Sequence, residues 1–172
     1  METSTKKKHQ VEIIINLYDY HTKLFLNALE GISDKDAQNR MGTKAAHIAW
    51  IAGSVVYQRQ VLANALGFKV KQTSEHLFKG GKGEGHKGIQ DHVTYPPLKE
   101  YMQDWTHISS VLKEGLVNAS EDQLNGKDPY EMPGGNYTFF DSLTFSVDRE
   151  SYCIGQIGLW RRLLGYEAMK WM

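Results

Sequence analysis

The chain has no excess of charge, no second cysteine and no long uninterrupted apolar run. Its 20 lysines and arginines balance 20 aspartates and glutamates, so no net charge favours nucleic acid or an anionic membrane as a partner. A single cysteine excludes an internal disulfide, which fits a reducing compartment, and a cytoplasmic location is expected. Polar side chains interrupt residues 11–29, so neither a signal peptide nor a membrane span is predicted there.

What the chain does contain is the apolar content of one globular domain. Its 172 residues are 41% hydrophobic, which is enough for one sizeable core and short for two. We therefore expect residues 1–172 to form a single domain.

Four long amphipathic helices are predicted, and no convincing strand. Apolar residues at spacings of three and four mark the helices, at about residues 10–29, 43–66, 96–116 and 141–164. Thr43 can cap the second helix, and Pro96-Pro97 suits the first turn of the third. Short helical turns are predicted after Ser33 and at Ser120–Gln123, where the residues match a capping box.

These helices bury their apolar stripes most simply against one another, which predicts an all-α four-helix bundle. Residues 67–95 form a long, glycine- and lysine-rich connection between the second and third helices, and its length permits a crossover. Bundles of this kind commonly pair through an exposed helix face, so we expect a homodimer.

Two patterns in the connection suggest binding sites but are better explained as loop. Gly83-Glu84-Gly85-His86-Lys87-Gly88 matches G-x-G-x-x-G, yet no strand precedes it and no helix follows at once, which favours a flexible loop. His76, His86 and His92 could gather a surface metal ion, although a chance cluster on a solvated loop is the favoured interpretation. No two of the seven histidines are spaced i,i+3 or i,i+4 on a predicted helix, as a metal centre in a bundle requires.

The last predicted helix carries the most informative motif. It reads Arg149-Glu150-Ser151-Tyr152-Cys153-Ile154-Gly155-Gln156, and Arg161-Arg162 and Gly165 follow. This run resembles the last helix of the DinB-like (YfiT-like) four-helix-bundle superfamily, whose pattern is close to His-Glu-x-Tyr-His-x-Gly-Gln-x-x-x-x-Arg-Arg-x-x-Gly. In the second helix, Trp50-Ile51-Ala52-Gly53-Ser54 resembles the Trp-x-x-Gly-His motif of the same superfamily. The resemblance implies a bundle of that type, in a superfamily of metalloenzymes that includes metal-dependent thiol transferases and isomerases.

The resemblance also implies a metal site of three histidines, and this chain replaces all of them. Ser54, Arg149 and Cys153 stand at the three positions. Serine is a poor metal donor, and one thiolate cannot hold a metal alone. A guanidinium stays protonated and repels a divalent cation. We therefore expect the usual metal to be absent and no other cofactor to replace it.

If the second and last helices meet as in the superfamily, their polar residues enclose a small pocket suited to a carboxylate or a phosphate. Its expected residues are His47, Trp50, Ser54, Arg149, Cys153 and Gln156. Alternatively, Arg149 pairs with a neighbouring acid or points to solvent, and the pocket is merely packing. Cys153 is the candidate catalytic residue, because Arg149 could lower its pKa. An inert, buried thiol is the favoured interpretation.

Three functions follow from these features. The first is a metal-free DinB-like protein that binds a small, anionic molecule or a protein partner in the pocket between the helices. The alternative is a thiol-dependent, transferase-type enzyme that uses Cys153, or a relocated metal held by His47, Cys153 and another histidine. The third is a structural interaction protein whose core is filled and has no pocket.

Overall fold

Helices supply the regular secondary structure of the computed structural model, which describes residues 2–81 and 85–171, with side chains from residue 9 onward. The long helices are α1 (Glu2–Leu29), α3 (Ile48–Ala65), α4 (Leu98–Val117) and α6 (Phe139–Leu163). Two single turns, α2 (Asp34–Ala37) and α5 (Glu121–Leu124), and a 3-10 turn at Glu75–Leu77 lie between them. The described residues form no strand, only isolated bridges, so the all-α class is confirmed. Across the same residues, no helix is both long enough and apolar enough to cross a membrane.

Each long helix packs against two of the others. Contacts join α1 to α4 and α6, and they join α3 to the same two helices, so α1 and α3 lie diagonally opposite. Tyr18 meets Leu143 and Ala28 meets Arg161, which makes α1 and α6 parallel. Gly53 of α3 packs against Tyr101 of α4, and Arg59 meets Ser109, so α3 and α4 are parallel as well. Parallel neighbours need a crossover, and residues 66–97 supply it along the predicted connection.

Two predicted caps are confirmed, whereas the predicted starts of α3 and α4 differ from the structure. Helix α4 begins at Leu98, so Pro97 is its N-cap and does not lie in its first turn. Ser33 caps α2, and Ser120 caps α5 within the predicted capping box. Helix α3, by contrast, begins five residues after Thr43, at Ile48. Its cap is His47, whose Nδ1 accepts a hydrogen bond from the backbone N–H of Trp50 at 3.1 Å. Histidine is not among the favoured capping residues, so the sequence pointed to the nearest threonine instead.

The other two helices whose starts were predicted from periodicity begin earlier than expected. Helix α1 starts at Glu2 rather than near residue 10. Helix α6 starts at Phe139 rather than near Asp141, because Thr138 and Asp141 form a capping box ahead of it. Apolar periodicity marks the part of a helix that faces the core, so it does not define the first residue of the helix.

Two apolar clusters fill the core, one toward each end of the bundle. The first combines the last turns of α1 and α6 with the first turns of α3 and α4. The second combines the opposite halves of the same helices. Between them, buried polar side chains form a layer across the middle of the bundle. That layer and its immediate neighbours hold the candidate site.

The connection between α3 and α4 packs closely against the bundle. Phe78 is fully buried, and Tyr95 nearly so. Gly53 of α3 makes this approach possible, because a Cβ on Gly53 would lie 2.2 Å from Cζ of Phe78 and 2.7 Å from Cε1 of Tyr101. The glycine of the Trp-x-x-Gly motif therefore has a packing role here.

Candidate functional site

A buried ion pair forms the centre of the polar layer. Arg59 of α3 is 1% exposed and Glu150 of α6 is fully buried. Nε of Arg59 donates to Oε1 of Glu150 at 2.7 Å, and Nη2 donates to Oε2 at 2.8 Å. Burial tends to raise the pKa of Glu150, but the Arg59 charge, its hydrogen bonds and the contact with Nδ1 of His21 at 3.1 Å outweigh burial and hold that pKa below its usual value. The carboxyl is therefore ionised, and the pair links α3 to α6.

The other two long helices bind the same arginine. Nη1 of Arg59 donates to Thr22 of α1 at 2.7 Å and to Ser109 of α4 at 2.6 Å, and Nη2 donates to the Tyr18 carbonyl at 3.1 Å. The guanidinium carbon lies 3.7 Å from the centroid of the Trp105 ring. All five N–H groups of Arg59 thus have acceptors, as a buried guanidinium requires.

The sequence contained a signal for this pair that the motif comparison did not use. Helix α3 is buried on nearly every side, and Arg59 is its one charged residue. A charge in such a helix must be paired, because an isolated buried charge is too costly. Glu150 was recognised only as a match to the superfamily pattern. Burial on all sides of α3 would have pointed to a partner on another helix.

Arg149, one residue before Glu150, faces α3 rather than solvent. Its Nη1 donates to Oε1 of Gln58 at 2.7 Å, and its Nη2 donates to Oγ of Ser54. No acid among residues 2–81 and 85–171 pairs with it. Two alternatives to a pocket were that Arg149 pairs with an acid or points to solvent. Its guanidinium does neither, because it binds Gln58 and Ser54. Ser54 and Arg149 are therefore in direct contact.

The guanidinium of Arg149 has donors left over and lies beside a cavity. Its Nε and one hydrogen on each Nη donate to no group in the described part of the chain. A cavity of about 230 Å³ opens next to it, which we call the Arg149 cavity. The described residues that line the cavity are Gln58, Gly85, His86, Tyr130, Met132, Phe145 and Arg149.

His86 comes to this cavity from the glycine-rich connection. Its ring packs edge-on against Tyr57, with centroids 5.1 Å apart, and it lies 6.1 Å from the Tyr130 ring. Burial, and then the Arg149 charge, lower the pKa of His86 to about 3, so the imidazole is neutral at pH 7. Its Nδ1 is enclosed and has no hydrogen-bond partner among the described residues. Residues 82–84 of the G-x-G-x-x-G match lie outside the described residues.

No pattern in the sequence predicts that His86, Tyr130 and Met132 lie near Arg149. They belong to segments without periodicity, which approach the bundle through tertiary contacts. Tyr130 is held by its hydroxyl, which donates to the Gln58 carbonyl at 3.0 Å. Asp128 anchors the same segment by accepting from Ser142 at 2.6 Å. Burial strongly raises the pKa of Tyr130, so its hydroxyl stays protonated.

Cys153 lies one helical turn beyond Arg149 and is 4% exposed. Burial raises the pKa of its thiol, and the nearby Arg149 charge only partly offsets that effect. A neutral, enclosed thiol is a weak nucleophile. Its position is that of a small apolar side chain in the core.

No hydrogen bond or ring contact joins the remaining three expected pocket residues to Arg149. His47 caps α3 and meets Tyr95 edge-on, with ring centroids 5.0 Å apart, and burial lowers its pKa to about 4. Trp50 is half-buried, and its Nε1 has no hydrogen-bond partner among the described residues. Gln156 is also half-buried. The structure therefore brings together Ser54, Arg149 and the neighbouring Cys153 from the predicted set.

The donors at these positions do not fit a divalent metal. Arg149 points its guanidinium at Ser54, which places a permanent positive charge between α3 and α6. Within the described ranges, no group of three histidine, cysteine, aspartate or glutamate side chains is arranged to hold a metal ion. Neither the described side chains of the loop histidines nor His47 together with Cys153 belong to such a group.

No family model matches the chain, and neither a curated protein nor a solved structure matches it.

Proposed function

We propose that this chain is a metal-free DinB-like protein that binds a small anionic molecule in the Arg149 cavity. The hydrogen bond between Arg149 and Ser54 carries the proposal, because it joins two of the three substituted positions across α3 and α6. A charged side chain replaces the ion, so the site attracts an anion where the superfamily holds a cation. The long helices and the crossover are compatible with a DinB-type bundle.

Analysis of bound metal tests the proposal. We expect the purified protein to contain far less than one zinc or nickel per chain, because Arg149 repels divalent cations. The variant Ser54→His/Arg149→His/Cys153→His is expected to bind zinc, since it places three imidazoles at the aligned positions. Mass spectrometry of the metal content measures both results.

A matched variant adds three histidines that do not converge. Asn64→His/Tyr152→His/Arg162→His places them at exposed positions on the same two helices. It is expected to bind zinc more weakly than the first variant. Equal affinity would show that the aligned positions are not adjacent. A metal bound at Ser54, Arg149 and Cys153 of the wild type, close to one per chain, would refute the proposal directly.

The competing thiol-transferase function requires a reactive Cys153. We expect iodoacetamide to modify Cys153 slowly at pH 7, because burial both shields the thiol and raises its pKa. Mass spectrometry over time gives the rate, and the same reaction in guanidinium chloride gives the rate for the exposed thiol. Equal rates in the two conditions would instead support the enzyme, as would an activity that a chelator abolishes.

A homodimer is part of the proposal. Helices α1 and α6 are neighbours, and their outer faces carry exposed apolar residues. These are Ile13, Leu17 and Tyr20 on α1, and Tyr152, Leu159 and Leu163 on α6. On α6, Gly155 has no atom within 4 Å of the place where a Cβ would lie, so that face has room for close approach. Apolar surface of this kind supports pairing through α1 and α6.

A further inference from the structure

The charge of the Arg149 cavity favours a ligand with one negative charge. Among the described residues that line it, Arg149 is the one charged side chain, and His86 is neutral there because burial and Arg149 lower its pKa to about 3. A phosphate dianion would need a second cation for neutrality. A monoanion would be neutralised by Arg149 alone.

The free donors of Arg149 suit a carboxylate. The hydrogen bonds to Ser54 and Gln58 fix the plane of the guanidinium and use only one hydrogen on each Nη. The remaining N–H groups lie in the same plane. Two parallel N–H groups match the two oxygens of a carboxylate, which is the usual bidentate geometry of arginine.

His86 can supply a further donor. Its Nδ1 is enclosed without a partner, and an enclosed N–H without an acceptor is rarer than an enclosed acceptor without a donor. The favoured tautomer therefore carries its proton on Nε2. In that form His86 can donate to an anion, although it is itself uncharged.

The rest of the cavity is apolar and small. Met132 and Phe145 line it opposite the polar groups, and its volume of about 230 Å³ lies below the roughly 300–1,000 Å³ of pockets for drug-sized ligands. A second cavity of about 410 Å³ is also lined by His86 and Tyr130.

We infer that the Arg149 cavity binds a short organic monocarboxylate, with its carboxylate on Arg149 and Nε2 of His86 and its apolar part against Met132 and Phe145. This inference rests on the proposed function and names the class of its ligand. Inorganic phosphate and a neutral amide are the two competitors that differ in charge while remaining small enough to enter.

Titration of ¹³C-methyl-methionine protein with butyrate, butyramide and inorganic phosphate tests the inference. Met132 lies in the cavity, whereas Met102 packs against the core and serves as the internal control. The spectrum of Met132→Leu assigns the Met132 signal. We expect butyrate to shift that signal saturably, with a Kd at least tenfold lower than the Kd for butyramide or phosphate. The Met102 signal should not move.

Variants of the arginine locate the carboxylate. Arg149→Met is expected to raise the Kd for butyrate at least tenfold, and Arg149→Lys should give an intermediate Kd because it keeps the charge and loses the planar fork. Arg162→Met removes one charge from an exposed position on the same helix and should leave the Kd unchanged. Circular dichroism verifies that each variant is folded, and Arg149→Lys retains the test if Arg149→Met is not.

The other outcomes separate this inference from the proposed function. Phosphate binding as tightly as butyrate, with the same dependence on Arg149, would overturn the monocarboxylate class and leave the anion site standing. Butyramide binding as tightly as butyrate would overturn both, because charge would then not select the ligand. No shift of Met132 with any of the three compounds would also overturn both.

Discussion

Replacing Arg59 by methionine is expected to destabilise the folded protein by about 3–5 kcal/mol, because the carboxylate of Glu150 would remain buried without its charged partner and with only the His21 imidazole beside it. The two side chains are almost completely buried and share two short hydrogen bonds. Arg59→Met also leaves Thr22 and Ser109 without their donor. Urea unfolding followed by circular dichroism gives the change in the free energy of unfolding.

Two further variants show whether the loss comes from the unpaired carboxylate. Arg59→Met/Glu150→Leu removes both charges and should be less destabilised than the sum of its single variants. Lys113→Met breaks the ion pair with Asp19, which lies at the surface. It should cost less than about 1 kcal/mol, since exposed ion pairs contribute little. A similarly small loss in Arg59→Met would mean that Glu150 does not depend on Arg59.

Truncating Trp105 to alanine is expected to cost about 3–5 kcal/mol, which is the usual loss for a large aromatic side chain in a core. The ring is fully buried and lies 4.3 Å from the Phe25 ring, centroid to centroid. Its Nε1 donates to the Thr22 carbonyl at 3.1 Å, and its face supports the Arg59 guanidinium. The substitution removes all of these contacts together, and thermal or urea unfolding measures the loss.

Trp50→Ala is the matched comparison, because Trp50 lies on α3, which packs against the helix of Trp105. Trp50 is only half-buried, and its Nε1 has no hydrogen-bond partner among the described residues. Its truncation should therefore cost clearly less than that of Trp105. Losses of equal size would show that the ring of Trp50 is buried in solution, as it would be in a dimer interface.

The sequence predicted the helices well because their signals are local. Apolar spacing and the capping serines depend on residues within a few positions of each other, and Ser33 and Ser120 act as expected. The start of α3 was missed because the capping atom belongs to His47, whose role depends on its conformation. Residue type alone did not distinguish that histidine from a core residue.

The sequence placed only those residues of the candidate site that lie on regular helices. Arg149 and Ser54 form a hydrogen bond, as expected from the two helix motifs. Both residues lie on regular helices, so their positions along the bundle can be compared from the sequence. His86 and Tyr130 come from irregular segments, so no periodicity could place them beside Arg149. His47 was expected at the pocket from its helical spacing. It stands at the helix terminus instead, next to Tyr95.

The diagonal arrangement of α1 and α3 affects how the chain can fold. The first long helix has no lateral neighbour until α4 has been made, and its second neighbour is the last helix of the chain. No hairpin of consecutive long helices can therefore form around α1 early in synthesis. Long sequence separation between contacting segments slows folding, so this bundle should fold more slowly than an up-and-down bundle of the same length. During synthesis, the apolar face of α1 must wait until α4 and then α6 have left the ribosome.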